Sequence, residues 1–350
     1  MKPLFILHLI VFLTCSVAPA QEKINRTFKV GSGKELALNL KEIGGSIQIE
    51  GWERDEVKIE GEVSGIGWDE DCELKFKESS TGIRVVPYCG YDNDGIKVRF
   101  NIKVPKKFDL LISTATETRI KGIEGYLDLK CGNANVEISD FKGTVDLSTA
   151  NGRLDILNSK IEGSISNVNG NLTIKNSNVE GKVTTTNSSM EINTANSGIK
   201  VKSVNGRISI DSAKGFVRAN SVNGGIEIAE LDGWIDAKTI NGHVILNIVG
   251  NPEEGKRDIE LNTMNGDVEL FFPENFPMDV SIQIKNDYDG RNRNKYRERY
   301  KIVSDYDLEI EEKERRGGSY EIFGRGKIGS GKHRVRINAI NGDVYLKKAS

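Results

Sequence analysis

Carboxylates recur at fixed steps through the middle of the chain: Asp128, Asp146 and Asp236 in one column, Glu137, Asp155, Glu191 and Glu227 in another. Paired carboxylates on one face of a strand array can hold calcium or act as the acid and base of glycoside hydrolysis. Lys182, Lys200 and Arg218 interrupt the first column, and Thr173 and Ser209 the second, which is the pattern of a solvated face. Beyond residue 20 there are two histidines, His243 and His333, and neither has the spacing of a nucleophile pair or a metal ligand set. Cys-x-x-Cys, His-Glu-x-x-His and phosphate-binding glycine loops are all missing from the sequence. No catalytic residue, metal ligand or cofactor is therefore assigned.

A denser charge feature lies further on, where Arg291, Arg293, Lys295, Arg297, Arg299 and Lys301 face Glu298 alone, with Tyr296 and Tyr300 interleaved. Such a stretch can contact a polyanion such as lipopolysaccharide or extracellular nucleic acid, or it can be a flexible solvated insertion. The whole chain argues for neither nucleic acid nor an anionic membrane surface, since 49 Lys+Arg against 51 Asp+Glu leave a net charge of −2. No specific nucleic-acid binding is expected.

Lys2, the apolar run Leu4 to Val17 and Ala18-Pro19-Ala20 read as a secretory signal over residues 1–20. No later apolar run approaches the length of a spanning helix, so no membrane span is expected. The destination is then the periplasm, the outer cell surface or the medium. Lipidation at Cys15 is the lesser alternative, because Phe12-Leu13-Thr14 makes a poor lipobox. In an oxidising compartment Cys72 and Cys89 invite pairing, for they flank a hairpin of Glu73 to Lys77, a turn at Thr81-Gly82, and Ile83 to Val86. Three reduced thiols are the alternative, and Cys131 is left over either way.

What must position all these groups is a repeat. Asn133, Asn151, Asn169, Asn187, Asn205, Asn223 and Asn241 follow one another at steps of 18 residues. With the Asn as position zero, aliphatic residues fill columns −6, −4, −1, +3 and +5, although Gly163 and Gly181 weaken column −6. Gaps of two between columns are strand alternation and exclude a helical period. Each unit holds two short strands, and a unit this small buries its apolar face only by stacking on its neighbours. The expected fold is all-β, a parallel β-helix or β-solenoid of 18-residue coils. The Asn side chains should form a ladder and tolerate a left-handed corner, and Thr149, Thr185, Ser203, Ser221 and Thr239 at column −2 should stack likewise. Further copies occur around Gly44-Gly45, Asn265-Gly266 and Asn341-Gly342. The organisation read from this is an N-terminal coil or cap at 21–61, an inserted strand group at 62–108, the regular solenoid at 109–272, a charged insertion or cap at 273–330 and a C-terminal coil at 331–350.

At Gly45-Ser46-Ile47-Gln48-Ile49, at the Asn-Gly coils, and at Gly329-Ser330-Gly331 leading to Ile340-Asn341-Gly342-Asp343-Val344, the chain resembles a bacterial family of exported β-strand-repeat proteins labelled putative adhesins. The match covers about residues 24–348, with Ile102-Lys103-Val104-Pro105 similar to that family's strand-Pro lead-in. The resemblance implies a right-handed parallel β-helix at the cell envelope and supplies no catalytic motif. The function expected is that of an exported non-enzymatic scaffold, an adhesin or envelope-binding protein presenting an extended face to a surface glycan or protein. A carbohydrate-active β-helix enzyme is the alternative, disfavoured because the regular coils carry no inserted loops with clustered Asp, Lys or Arg. An accessory of an envelope-stress system is a third reading, supported by location alone.

Overall fold

Alternating aliphatic columns fold as strand throughout: 29 strands and no helix are found among the described residues. The computed structural model describes residues 20–31, 33–41, 43–65, 72–89, 96–195, 198–286, 300–314 and 320–349. The leader ahead of Ala20, Cys15 and the basic residues Arg291, Arg293, Lys295, Arg297 and Arg299 lie outside them.

Two parallel ladders run through the molecule. One passes from Leu127 to Val145, Gly163, Gly181, Ile199, Val217 and Ile235, each residue opposite the one 18 positions on. The other passes from Val136 through Leu154, Leu172, Met190, Ile208 and Ile226 to Val244. This mostly parallel, all-β pairing is consistent with a β-solenoid. The six-residue insertion before Asn265 is absorbed without loss of register, Asn241 facing Asn265. Between the ladders the aliphatic residues of columns −4, +3 and +5 are all buried. Dispersion and the hydrophobic effect act on one continuous core whose side chains repeat in type from coil to coil.

The weak column has a packing explanation. Where Gly163 and Gly181 leave the core short of a side chain, Ile161 and Val179, two positions earlier, are buried in its place. The register partner of Ile161 one coil earlier is Gly143, two residues after which Val145 is the buried residue. Volume is conserved while its source moves by two residues, which keeps the same face.

At both ends the stack departs from sequence order. Glu35–Leu40 and Gly44–Trp52 pair on one side with Asp109–Thr114 and Glu117–Lys121, and on the other with the later strands Gly82–Cys89 and Lys97–Pro105. At the far end Ile259–Asn265 and Val268–Phe272 pair with the chain's last strands, His333–Ile340 and Val344–Lys348. Those in turn pair with the earlier Met278–Asn286 and Ile302–Ser304. The stretches 62–108 and 273–330 therefore supply strands of the stack as well as ends to it, because Val98, Phe100, Ile102 and Val280, Ile282, Ile284 carry the same buried alternation as the coils. Beyond them the pairing turns antiparallel, with Ala20–Lys29 on Glu56–Gly65 at one end and Glu309–Glu314 on Tyr320–Lys327 at the other. Glu309–Glu314 is exposed along its whole length and carries five charges in six residues, which blunts an edge that would otherwise template another strand.

Candidate functional site

The Asn residues stack as an unbroken amide ladder. Asn151 Nδ2 donates to Asn133 Oδ1 at 2.6 Å, and the same step recurs at 2.7–2.8 Å through Asn169, Asn187, Asn205, Asn223 and Asn241. It continues to Asn265 at 2.8 Å and Asn341 at 3.1 Å. Every amide points the same way, so the bonds polarise one another, and the ladder lies open to solvent. Asn187→Asp leaves two carboxylate oxygens facing Asn169 Oδ1, which needs a donor. A loss of about 1–2 kcal/mol is expected, checked by thermal melting, and an unchanged midpoint would mean the ladder does not contribute to stability.

The left-handed corner lies elsewhere. Positive φ occurs at Asp140 (53°), Asn158 (50°) and Asn176 (51°), seven residues after Asn133, Asn151 and Asn169, and along the ladder itself only Asn341 has it (56°). Asn and Asp tolerate this region because their side chains bond locally. The sequence signal was present as Asn-Ser at 158 and 176, spaced by one repeat. The Ser residues finish that corner, Ser159 Oγ accepting from Phe141 N and Ser177 Oγ from Ser159 N, both at 3.0 Å. The buried hydroxyls of column −2 also depart from the expected stack. Thr185 Oγ1 lies 3.2 Å from Ser203 Oγ but closer, at 3.0 Å, to the carbonyl of Ser188, and Thr239 and Thr263 donate to the corner carbonyls of Gly224 and Gly242. These side chains pin the turn, where backbone acceptors left unpaired in the interior would be costly.

Outside the Leu127 ladder the surface is ordered in strips. Column −1 faces solvent: Ala150, Val168, Ile240 and Met264 are exposed and Val204, Val222 and Ile340 half-buried, with Thr186 among them. Val168, Ile240 and Met264 keep 39%, 40% and 46% of their surface, so this is an aliphatic ridge along the stack, directly beside the amide ladder. Next to it run Thr184, Lys202, Asn220 and Lys238, and two residues further along the strands the column of Asp128, Asp146, Lys182, Lys200, Arg218 and Asp236.

The carboxylates outside the Val136 ladder are matched by cations: Arg153 with Asp155 at 2.7 Å, Lys175 with Glu191 at 3.5 Å, and Arg119 with Glu137 and Arg207 with Glu227 at 3.8 Å. Among the described residues no group of three or more His, Cys, Asp or Glu is placed to hold a metal ion. His243 is half-buried over Gly225. His333 is buried, its Nδ1 accepting the backbone N–H of Arg257 at 3.3 Å and its Nε2 facing the Pro252 carbonyl at 2.8 Å, with the ring stacked on Phe276. Arg257 pairs with Asp232, so this constellation ties the six-residue insertion to the last coil and leaves no open reactive atom.

Cys72 is disulfide-bonded, and the residue opposite it across the hairpin is Cys89. Cys131 is free and buried, and burial pushes its thiol above the usual range. Lys301, the one described member of the basic stretch, gives its backbone N–H to Asp343 at 2.9 Å and is exposed. No helix among the described residues is long and apolar enough to cross a membrane.

No known family model matches the chain, and no curated protein does. Among solved structures it is similar to a putative cell adhesion protein from Clostridium sporogenes at 13% identity, with 95% of this chain and 100% of that one covered and a TM-score of 0.20. It is also similar to a putative lipid binding protein from Parabacteroides distasonis at 18% identity, with 67% and 98% covered and a TM-score of 0.41. The adhesin resemblance of the sequence thus meets one neighbour so described and no family model.

Proposed function

We propose that the chain is an exported, non-enzymatic β-solenoid of closed 18-residue coils, wound right-handed, that presents the outer face of the Leu127 ladder to a partner at the cell surface in adhesion or envelope organisation. The observation that carries this is the column from Ala150 to Ile340 beside the amide ladder, aliphatic except at Thr186 and exposed at Val168, Ile240 and Met264. Single exposed aliphatics need no explanation, but a contiguous strip of them on a soluble protein marks a contact surface. Repeat scaffolds bind in this way, through long faces fixed by the stack beneath. Export removes the chain to a compartment where a disulfide at Cys72 persists.

The test is binding of labelled secreted protein to intact bacterial cells and isolated envelopes. Ile240→Lys with Met264→Lys is expected to weaken retention about tenfold, since two exposed aliphatic contacts are lost, while the melting temperature is held. Retention equal to wild type would sink the reading. So would release of reducing ends from a polysaccharide that Asp155→Asn abolishes.

A further inference from the structure

The outer face of the Leu127 ladder changes sign along its length. Asp128 and Asp146 occupy its first coils, and at the far side Asp236 holds Arg218 at 3.2 Å and Lys238 at 3.5 Å. Between these, Lys182 stands directly opposite Lys200, and Lys200 opposite Arg218, with Lys202 two residues along the same strand. All four are exposed. Among the described residues none of the three lysines has a carboxylate within ion-pair distance, whereas the Val136 face pairs its charges. Glu180 borders the column and does not reach Lys182 within that distance. Like charges facing each other in a ladder repel. The fold thus stacks cations at a cost where the same column elsewhere carries Asp or Ser.

We infer that this column seats a linear acidic polysaccharide, a chain of carboxylate-bearing sugars lying along the stack axis; the inference rests on the reading that this face is the binding face. Charge complementarity is the first reason. The second is spacing: coils repeat at about 4.8 Å, giving one cation per coil, as a polyuronate offers one carboxylate per ring. The third is the flank: two residues along the strands Thr184 and Asn220 stand on either side of Lys202 and offer a hydroxyl and an amide to a sugar, and Val204 and Val222 follow two residues beyond. There Asn205 and Asn223 each keep a second amide hydrogen for hydroxyls after donating along the ladder. A single-stranded nucleic acid needs free aromatic faces for its bases. The rings beside the column do not offer them, because Phe216 is stacked on Trp234 at 5.4 Å and covers Gly198, where a Cβ would lie 2.4 Å from the ring.

The experiment titrates the secreted protein with polygalacturonate, with its methyl-esterified form and with an oligothymidylate of matched length. It uses wild type, the K182Q/K200Q/K202Q variant and the Ile240→Lys, Met264→Lys ridge variant. Polygalacturonate is expected to bind wild type, more weakly as salt rises, and about tenfold more weakly to the triple variant, while the esterified polymer does not bind. The triple variant should melt at or above the wild-type temperature, because stacked like charges are removed, so its loss of binding is not a loss of fold. Failure of polygalacturonate to bind wild type, equal binding by the triple variant, or equal binding of oligothymidylate through the same lysines overturns the inference. If polygalacturonate fails while the ridge variant still loses cell binding, the ligand class falls and the face reading stands. If the lysines bind polygalacturonate while the ridge variant keeps full cell binding, the face reading falls and the lysine site stands alone.

Discussion

Gly143→Ala is expected to leave the protein without a stable fold, a loss of about 4 kcal/mol or more measured by urea or thermal denaturation. Gly143 has φ 146°, and a Cβ there would sit 1.9 Å from the carbonyl oxygen of Gly125 in the coil before. That oxygen belongs to the backbone of a stacked strand, so it cannot swing aside as a side-chain end would. Moving it means breaking the register of two coils, and each coil is held by the next. Gly122→Ala is the control: its φ is 68°, but nothing lies within 4 Å of the added Cβ. It bears the left-handed strain alone, about 1 kcal/mol. Similar losses at the two positions would show that close stacking is not what requires glycine in the coil.

Ile161→Gly is expected to cost about 3–5 kcal/mol by the same measurement, and adding Gly163→Val should not restore it, because a Cβ at Gly163 (φ 138°) would sit 2.1 Å from the Val145 carbonyl oxygen. Ile161 is buried to 2% exposure in a coil whose column −6 residue is glycine, so removing its side chain empties the core at that level. The coil beneath solves the same packing problem with Gly143 and Val145. The double variant writes one coil in the other's pattern, but the corner would have to move two residues earlier against the backbone of the coil beneath and away from its partner Gly181 in the next. Recovery of half the loss or more would mean that the corner can move and that the two patterns are interchangeable.

Much of this was legible from spacing. A step of 18 on Asn and aliphatic gaps of two demand stacked strands, and the amide ladder and the buried columns −4, +3 and +5 follow from residue type alone. Other features were written in the sequence but read too coarsely. Column −1 is aliphatic like the core, yet it lies an odd number of residues from column −4, so strand alternation alone turns Val168 and Ile240 outward. Lys182, Lys200 and Arg218 looked like interruptions in an acidic column until register showed them facing one another. The corner at Asn158 and Asn176 was hidden by the louder Asn-Gly signal seven residues before each. The swapped order of the end coils was not legible at all. Apolar alternation says that Val335 and Ile337 belong to a coil, but the same alternation at Val280 and Ile282 fits the same place, and local pattern does not choose between them.

That swap bears on how the molecule answers force. Val344–Lys348 lies between Val268–Phe272 and Ile302–Ser304, so tension applied at the C-terminus meets hydrogen bonds on both flanks of the strand. An outermost strand under the same pull would unzip one bond at a time. Here two ladders must shear together, along the strand direction, before the first residue is drawn out. That strand is held like a bolt and not like a loose thread.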